Sequence, residues 1–167
     1  MSTEKQNFIL IFTDQWRGDC LGYSGHPVLE TPFLDNLAAE GINFTAAYTQ
    51  APSCIPARAC FITGQSPSTN GRLGYQDGVP WNYENTMMEV LRNGGYQTIN
   101  VGKTHFYPQR NNLGYEINRL YDPQDFGDGF KSDYHKWLEE VSNGEVKDPC
   151  IEWDNNSWLP FPWDGPN

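Results

Sequence analysis

Residues 7 to 13, Asn7-Phe8-Ile9-Leu10-Ile11-Phe12-Thr13, form an unbroken apolar run rich in β-branched and aromatic side chains. Such a run alternates nowhere, so it suits a strand covered on both faces, as in a parallel sheet with helices on either side. The elements that follow keep that grammar. Thr31 is placed to cap a helix that has Pro32 in its first turn, Leu34, Leu37 and Ala38 as an apolar stripe, and Gly41 as its stop. Residues 42 to 48, Ile42-Asn43-Phe44-Thr45-Ala46-Ala47-Tyr48, alternate well enough for a second strand, and a second short helix follows. Strand, helix, strand, helix predicts an α/β protein with a doubly wound, mostly parallel sheet.

That second helix lies in Pro52-Ser53-Cys54-Ile55-Pro56-Ala57-Arg58-Ala59-Cys60-Phe61-Ile62-Thr63-Gly64. Pro56 falls in the first turn, where a missing N–H costs nothing, and Gly64 stands where a left-handed cap belongs. Cys54 therefore sits at the helix N-terminus, where free N–H groups and the positive dipole end favour an anion. Arg58, four residues on, shares a face with Cys54 and adds a fixed positive charge. The pair makes a candidate nucleophile in a small anion trap.

Composition removes several other functions. A chain of 167 residues suffices for one domain with a real core. A formal charge of −10, with only 11 basic residues, argues against nucleic acid as a partner. There is no run of about 18 apolar residues, so no membrane span is predicted. The polar start, Met1 to Gln6, leads straight into the first strand without a signal peptide, which predicts a cytoplasmic location, or a periplasmic or secreted one if a leader was removed. Cys20, Cys54, Cys60 and Cys150 show neither a Cys-x-x-Cys pair nor a matching His spacing, so a zinc site or disulfide framework is not expected. Cys20, Cys60 and Cys150 read as small buried hydrophobes.

Further along, Gly22 to Pro27 is loop, with His26 a surface or loop histidine, and residues 65 to 83 make a long turn-rich loop in which Arg72 reads as solvated. Thr86-Met87-Met88-Glu89 matches a capping box opening a short helix, which Gly94-Gly95 ends. A strand over 96 to 101 ends in Gly102-Lys103-Thr104-His105. In extended chain Lys103 and His105 face one side, able to hold an oxyanion and move a proton, although a surface pair is the ordinary reading of Lys-x-His. Asp14 and Gln15 end the first strand, where α/β folds open toward their ligands, although a loop or cap aspartate is the ordinary reading there. Arg17 and Asp19 read as a solvated ion pair. Residues 122 to 127 are a turn-rich connection, and 133 to 141 a helix with Tyr134, Trp137, Leu138 and Val141 on its apolar face, ended by Asn143-Gly144. The Pro- and Trp-rich residues 148 to 167 read as an extended segment packing on a neighbour, or as a glycan-stacking surface.

Cys54-x-Pro56-x-Arg58, continued to Thr63-Gly64, resembles the signature of the type I sulfatases of the alkaline-phosphatase-like superfamily, with Ile55 in place of the usual small residue. Gly95-Tyr96-x-Thr98-x-x-x-Gly102-Lys103-x-His105 resembles that family's second signature, with Thr104 in place of a common aromatic. The resemblance implies a three-layer αβα fold and a sulfuric ester hydrolase. It implies that Cys54 becomes formylglycine through a formylglycine-generating enzyme, and that its hydrate attacks sulfur. Arg58 and Lys103 would offset the charge on the transferring group, and His105 would take the proton that lets sulfate leave. Asp14 and the modified Cys54 are implied ligands of a divalent metal, calcium, with Gln15 where many members carry a second ligating Asp. That Asp-Gln pair resembles the branch with choline-sulfatase-like and phosphonate-monoester-hydrolase-like enzymes. The substrate class implied is a small-molecule or glycan sulfate ester, with no membrane partner.

The resemblance spans roughly residues 7 to 140, and members of the family are about three times longer than this chain, beyond the usual single-domain size. No Asp-His-Gly motif follows. Residues 1–145 therefore read as the N-terminal part of a catalytic domain, and 146–167 as an extended segment leading into a missing remainder. A sheet so interrupted predicts an exposed edge, self-association and little activity for the piece alone. The alternatives are a phosphonate or phosphate monoester hydrolase on the same scaffold, an inactive binding domain in which Cys54 stays a thiol, and a redox or structural α/β domain.

Overall fold

A computed structural model describes residues 5–122 and 129–146. The chain falls into two compact units that divide between Thr49 and Gln50.

Among the described residues of the first unit one regular helix forms, α1 (Pro32–Glu40). The expected cap changes role. Thr31 makes no side-chain cap bond to α1; its hydroxyl instead accepts from the Gly22 N–H and donates to Asp35 Oδ1, each at 2.8 Å. Asp35 Oδ1 also accepts from the Tyr23 N–H at 2.9 Å, so the single 3-10 turn Gly22–Ser24 is pinned to the start of α1. A Cβ at Gly22 would press on the Asp35 carboxylate, which would have to shift. His26 is half-buried, and its Nδ1 accepts from the N–H groups of Val28 and Leu29, which makes it a loop brace.

Both strands expected in this unit are absent as strands. Residues 7–13 and 42–48 lie outside any ladder, and Ile9 and Ile11 are 91% and 76% exposed. Their composition was suited to a strand, but a strand satisfies its N–H and C=O groups only through a neighbour. Among the described residues the hydrogen-bonded sheet is a single pair in the second unit.

The second unit is built around α2 (Cys54–Thr63). Ser53 enters it in extended backbone, and Gly64 leaves it with φ 65°, its N–H donating to the Cys60 carbonyl. Ile55, Ala59 and Ile62 recur at helical spacing and meet Trp81, Met88 and Phe106 in one buried cluster. Each large apolar side chain so buried contributes about 1.5–3 kcal/mol. Trp81 packs on Phe106 with ring centroids 4.9 Å apart and meets Tyr83 edge-on at 5.7 Å.

The long loop that follows α2 contains a one-turn helix, α3 (Pro67–Asn70), and is held from within by Arg72. Contrary to the sequence reading, Arg72 is not solvated but 7% exposed. It donates to the carbonyls of Val79 and Pro80 at 2.9 Å each and to Tyr83 Oη at 3.2 Å, with its guanidinium 5.1 Å from the centre of Trp81. A cation so paired to carbonyls and laid on an aromatic face can be buried where an unpaired one could not.

The capping box opens α4 (Met87–Asn93) as expected, with Thr86 Oγ1 accepting from the Glu89 N–H and Glu89 Oε2 accepting from the Thr86 N–H. The strand expected over 96 to 101 is β1 (Ile99–Gly102), which pairs in parallel with β2 (Ile117–Leu120), from Ile99 opposite Ile117 to Gly102 opposite Leu120. β2 was not foreseen, because four residues with Asn118 and Arg119 at its centre carry no periodic signal. α5 (Asp133–Val141) matches the expected helix and is tied to β2 by Asp133, which accepts from the Leu120 N–H and from Arg110. Of its expected apolar face Leu138 is buried, whereas Trp137 and Val141 are exposed. The turn at 122–127, apart from Asp122, and the Trp-rich tail with Cys150 lie outside the described residues.

Candidate active site

Cys54 is the first residue of α2, half-buried, with a free thiol. Ser53 makes no side-chain cap bond, so it closes off none of the N–H groups of the first turn. One turn on, Arg58 is 7% exposed, and its Nη1 donates to the Lys103 carbonyl at 2.7 Å. This bond ties the helix that carries Cys54 to the segment leaving β1. Tyr115 stands close by: burial raises its phenol above the ordinary range, opposed by the charge of Arg58.

Lys103 is half-buried and follows Gly102, whose φ of 118° turns the chain sharply at the strand end. The extended geometry expected for Lys103-Thr104-His105 does not form. His105 has φ 62°, a left-handed conformation that costs a non-glycine residue about 1–3 kcal/mol and persists only where the surroundings enforce it. Those surroundings are tight. Thr104, His105 and Phe106 are all buried, and the Tyr107 carbonyl accepts from the Trp81 N–H at 2.8 Å. His105 Nε2 lies 3.1 Å from Asp77 Oδ1, and the Tyr75 ring meets the imidazole edge-on at 5.8 Å. Burial, and then the charge of Lys103, push the His105 pKa below its usual 6.5, against the opposing pull of Asp122 and Asp77. The balance favours the neutral imidazole, the form able to accept a proton.

Two residues here carried no sequence signal as functional groups. Asp77 stands in an Asp-Gly pair, an ordinary turn signal, and Gly78 has φ 69°. Asp122 is 3% exposed, its Oδ1 has no hydrogen-bond partner among the described residues, and its charge acts on His105. Nothing in local spacing announces either role.

Two of the cysteines expected in the core are only half-buried. Cys60 accepts a weak bond from the Asn70 side chain, and Cys20 lies beside Asp19. The Arg17–Asp19 pair is solvent-exposed as expected, with 76% and 61% of the two side chains accessible.

Asp14 and Gln15 belong to the first unit, both exposed, Gln15 at φ 53°. Their carboxylate and amide oxygens suit a hard divalent cation, which takes about six to eight oxygens if it is calcium. They fit as part of such a site. Among the described residues no group of three or more His, Cys, Asp and Glu side chains could hold a metal.

Comparison with known proteins gives these features a family. The sulfatase family model matches residues 6–157. The chain is 45% identical over 170 residues to an arylsulfatase of Clostridium perfringens, covering 95% of this chain and 35% of that protein. It is 40% identical to an ulvan-active sulfatase of Formosa agariphila, covering 90% of this chain and 27% of that one. Among solved structures it resembles the phosphonate monoester hydrolase of Agrobacterium radiobacter, with a TM-score of 0.63 and 26% identity over 86% of this chain and 30% of that one. The fold is therefore α/β of the alkaline-phosphatase-like class. The chain belongs to the sulfatase family. It spans 35% and 27% of the lengths of these two sulfatases. No helix among the described residues is long and apolar enough to cross a membrane.

Proposed function

We propose that the protein to which this chain belongs hydrolyses sulfate monoesters, with Cys54 as the source of its nucleophile. The observation that carries this reading is the link between the two signatures: α2 presents Cys54 at its N-terminus, and Arg58 from the same helix donates to the Lys103 carbonyl. Two segments 45 residues apart in the chain are thereby held together.

In this reading a formylglycine-generating enzyme converts Cys54 to the aldehyde, whose hydrate offers one hydroxyl to attack sulfur and a second to expel the product. The N–H groups of the first turn of α2 and the Arg58 guanidinium bind the sulfuryl oxygens, and the Lys103 ammonium offsets charge as the ester bond breaks. His105, neutral and buried, takes the proton of the second hydroxyl; as that O–H bond breaks, the carbonyl reforms and sulfate departs. Asp14 and Gln15 would hold the divalent cation, calcium, which supplies Lewis acidity when bound. Residues 1–145 form the N-terminal part of the catalytic domain, and the exposed side chains from Phe8 to Phe12 favour self-association of this piece when it stands alone.

Mass spectrometry of the tryptic peptide Gly18 to Arg58, from protein made in its native host, tests the chemistry. The aldehyde is expected at position 54, and an unmodified thiol there would sink the mechanism. The structural likeness to a phosphonate monoester hydrolase motivates the second reading. Turnover of an aryl sulfate well above that of an aryl phosphonate monoester by the intact protein is the expected result, and the reverse order would select that alternative.

A further inference from the structure

A buried contact joins the Arg72-clamped loop to His105. His105 Nε2 lies 3.1 Å from Asp77 Oδ1, with 3% of the histidine side chain and 33% of the aspartate side chain exposed. Asp77 is not a chance neighbour. Arg72 fixes the far side of its loop through the carbonyls of Val79 and Pro80. The next residue, Trp81, donates its N–H to the Tyr107 carbonyl and accepts from the Asn111 side chain at 2.7 Å. The loop and the histidine segment are thus locked together on the side of Asp77 that leads away from it. An ionised carboxylate can only accept, so the hydrogen between the two belongs to Nε2. The other ring nitrogen, Nδ1, is buried and has no hydrogen-bond partner among the described residues.

We propose that Asp77 is the positioning residue for His105, holding the imidazole in its Nε2–H tautomer and leaving Nδ1 as the basic atom. The inference deepens the sulfatase reading and rests on it for the identity of the proton that Nδ1 accepts. The tautomer itself does not depend on that reading. Lys103, Asp77 and Asp122 are the charged groups acting on the ring, and Tyr75 packs against its edge. Among the described residues, Asp77 is the one of these that bonds an imidazole nitrogen.

The test compares the intact protein with its Asp77→Ala and Asp77→Asn variants, by nitrogen NMR of the His105 ring and by aryl sulfate kinetics. In the parent, Nε2 is expected as the protonated nitrogen and Nδ1 as the bare one. Asp77→Ala should mix the two tautomers and lower kcat roughly 10- to 100-fold with KM nearly unchanged, the scale seen when a group that orients a functional histidine is lost. Asp77→Asn keeps an acceptor oxygen and should fall between the two. Protonated Nδ1 in the parent, or ring signals and kcat unmoved by Asp77→Ala, would overturn the proposal. If the parent turns over no sulfate ester while its ring signals still respond to Asp77→Ala, the proposed function fails and the Asp77–His105 assignment stands.

Discussion

Residues 7–13 and α2 are the two strongest apolar signals in the chain, and they end in opposite states. α2 satisfies its own backbone from Ala57 onward and needs neighbours only for its side chains, which Trp81, Met88 and Phe106 supply. Residues 7–13 read as strongly, yet they lie outside any ladder with their large side chains exposed. A helix is a local solution to hydrogen bonding, whereas a strand is half of a solution whose other half must come from elsewhere. Apolarity shows that a segment is to be buried, but not against what.

The largest effect is expected at the N-terminus of α2: if Cys54 is the source of the proposed nucleophile, Cys54→Ala in the intact protein should reduce aryl sulfate hydrolysis by about a thousandfold or more, as loss of a covalent nucleophile does. Retention of turnover would show that the N-terminus of α2 is merely structural. Next, urea unfolding of the chain should separate two isoleucines of equal size. Ile55→Ala, at a site 1% exposed, is expected to cost about 2–5 kcal/mol. Ile9→Ala, at a site 91% exposed, should change stability by less than about 0.5 kcal/mol. Similar losses at both would mean that residues 7–13 are buried in solution, and the contrast would fall. Thr86→Ala removes a fully buried hydroxyl that accepts from the Glu89 N–H and donates to the Leu113 carbonyl, and about 1–2 kcal/mol should be lost. The smallest effect belongs to Gly64→Ala. No atom lies within 4 Å of the added Cβ, so only the left-handed backbone resists it, by about 1 kcal/mol. A larger loss there would show that the end of α2 is more tightly packed than its surroundings imply.

The same division between local and distant partners explains which parts of the site could be read in advance. The bounds of α2, the Gly64 cap, the capping box at Thr86 and the full span of α5 were legible, since each is written in residues within a few positions of one another. So were Cys54 and Arg58 on one helix face, and the order of the two signatures. Arg72 was misread because its partners are carbonyls at Val79 and Pro80, and carbonyls have no sequence signal. The conformation of Lys103 to His105 was misread because a left-handed histidine is imposed by packing and not by its own preference. β2 was missed for a similar reason, its ladder with β1 joining residues 18 apart.

An α/β protein of the sulfatase type, with a cysteine at a helix N-terminus and an arginine one turn on, can be read from the residues alone. Helix periodicity, caps and close-range motifs are properties of the local chain. The folded chain adds that Arg58 donates to the Lys103 carbonyl, that Asp77 engages His105 and that Arg72 clamps the loop carrying Asp77. Those contacts join groups 45, 28 and 7 residues apart, and their partners are backbone atoms or turn residues that the sequence does not distinguish from any others.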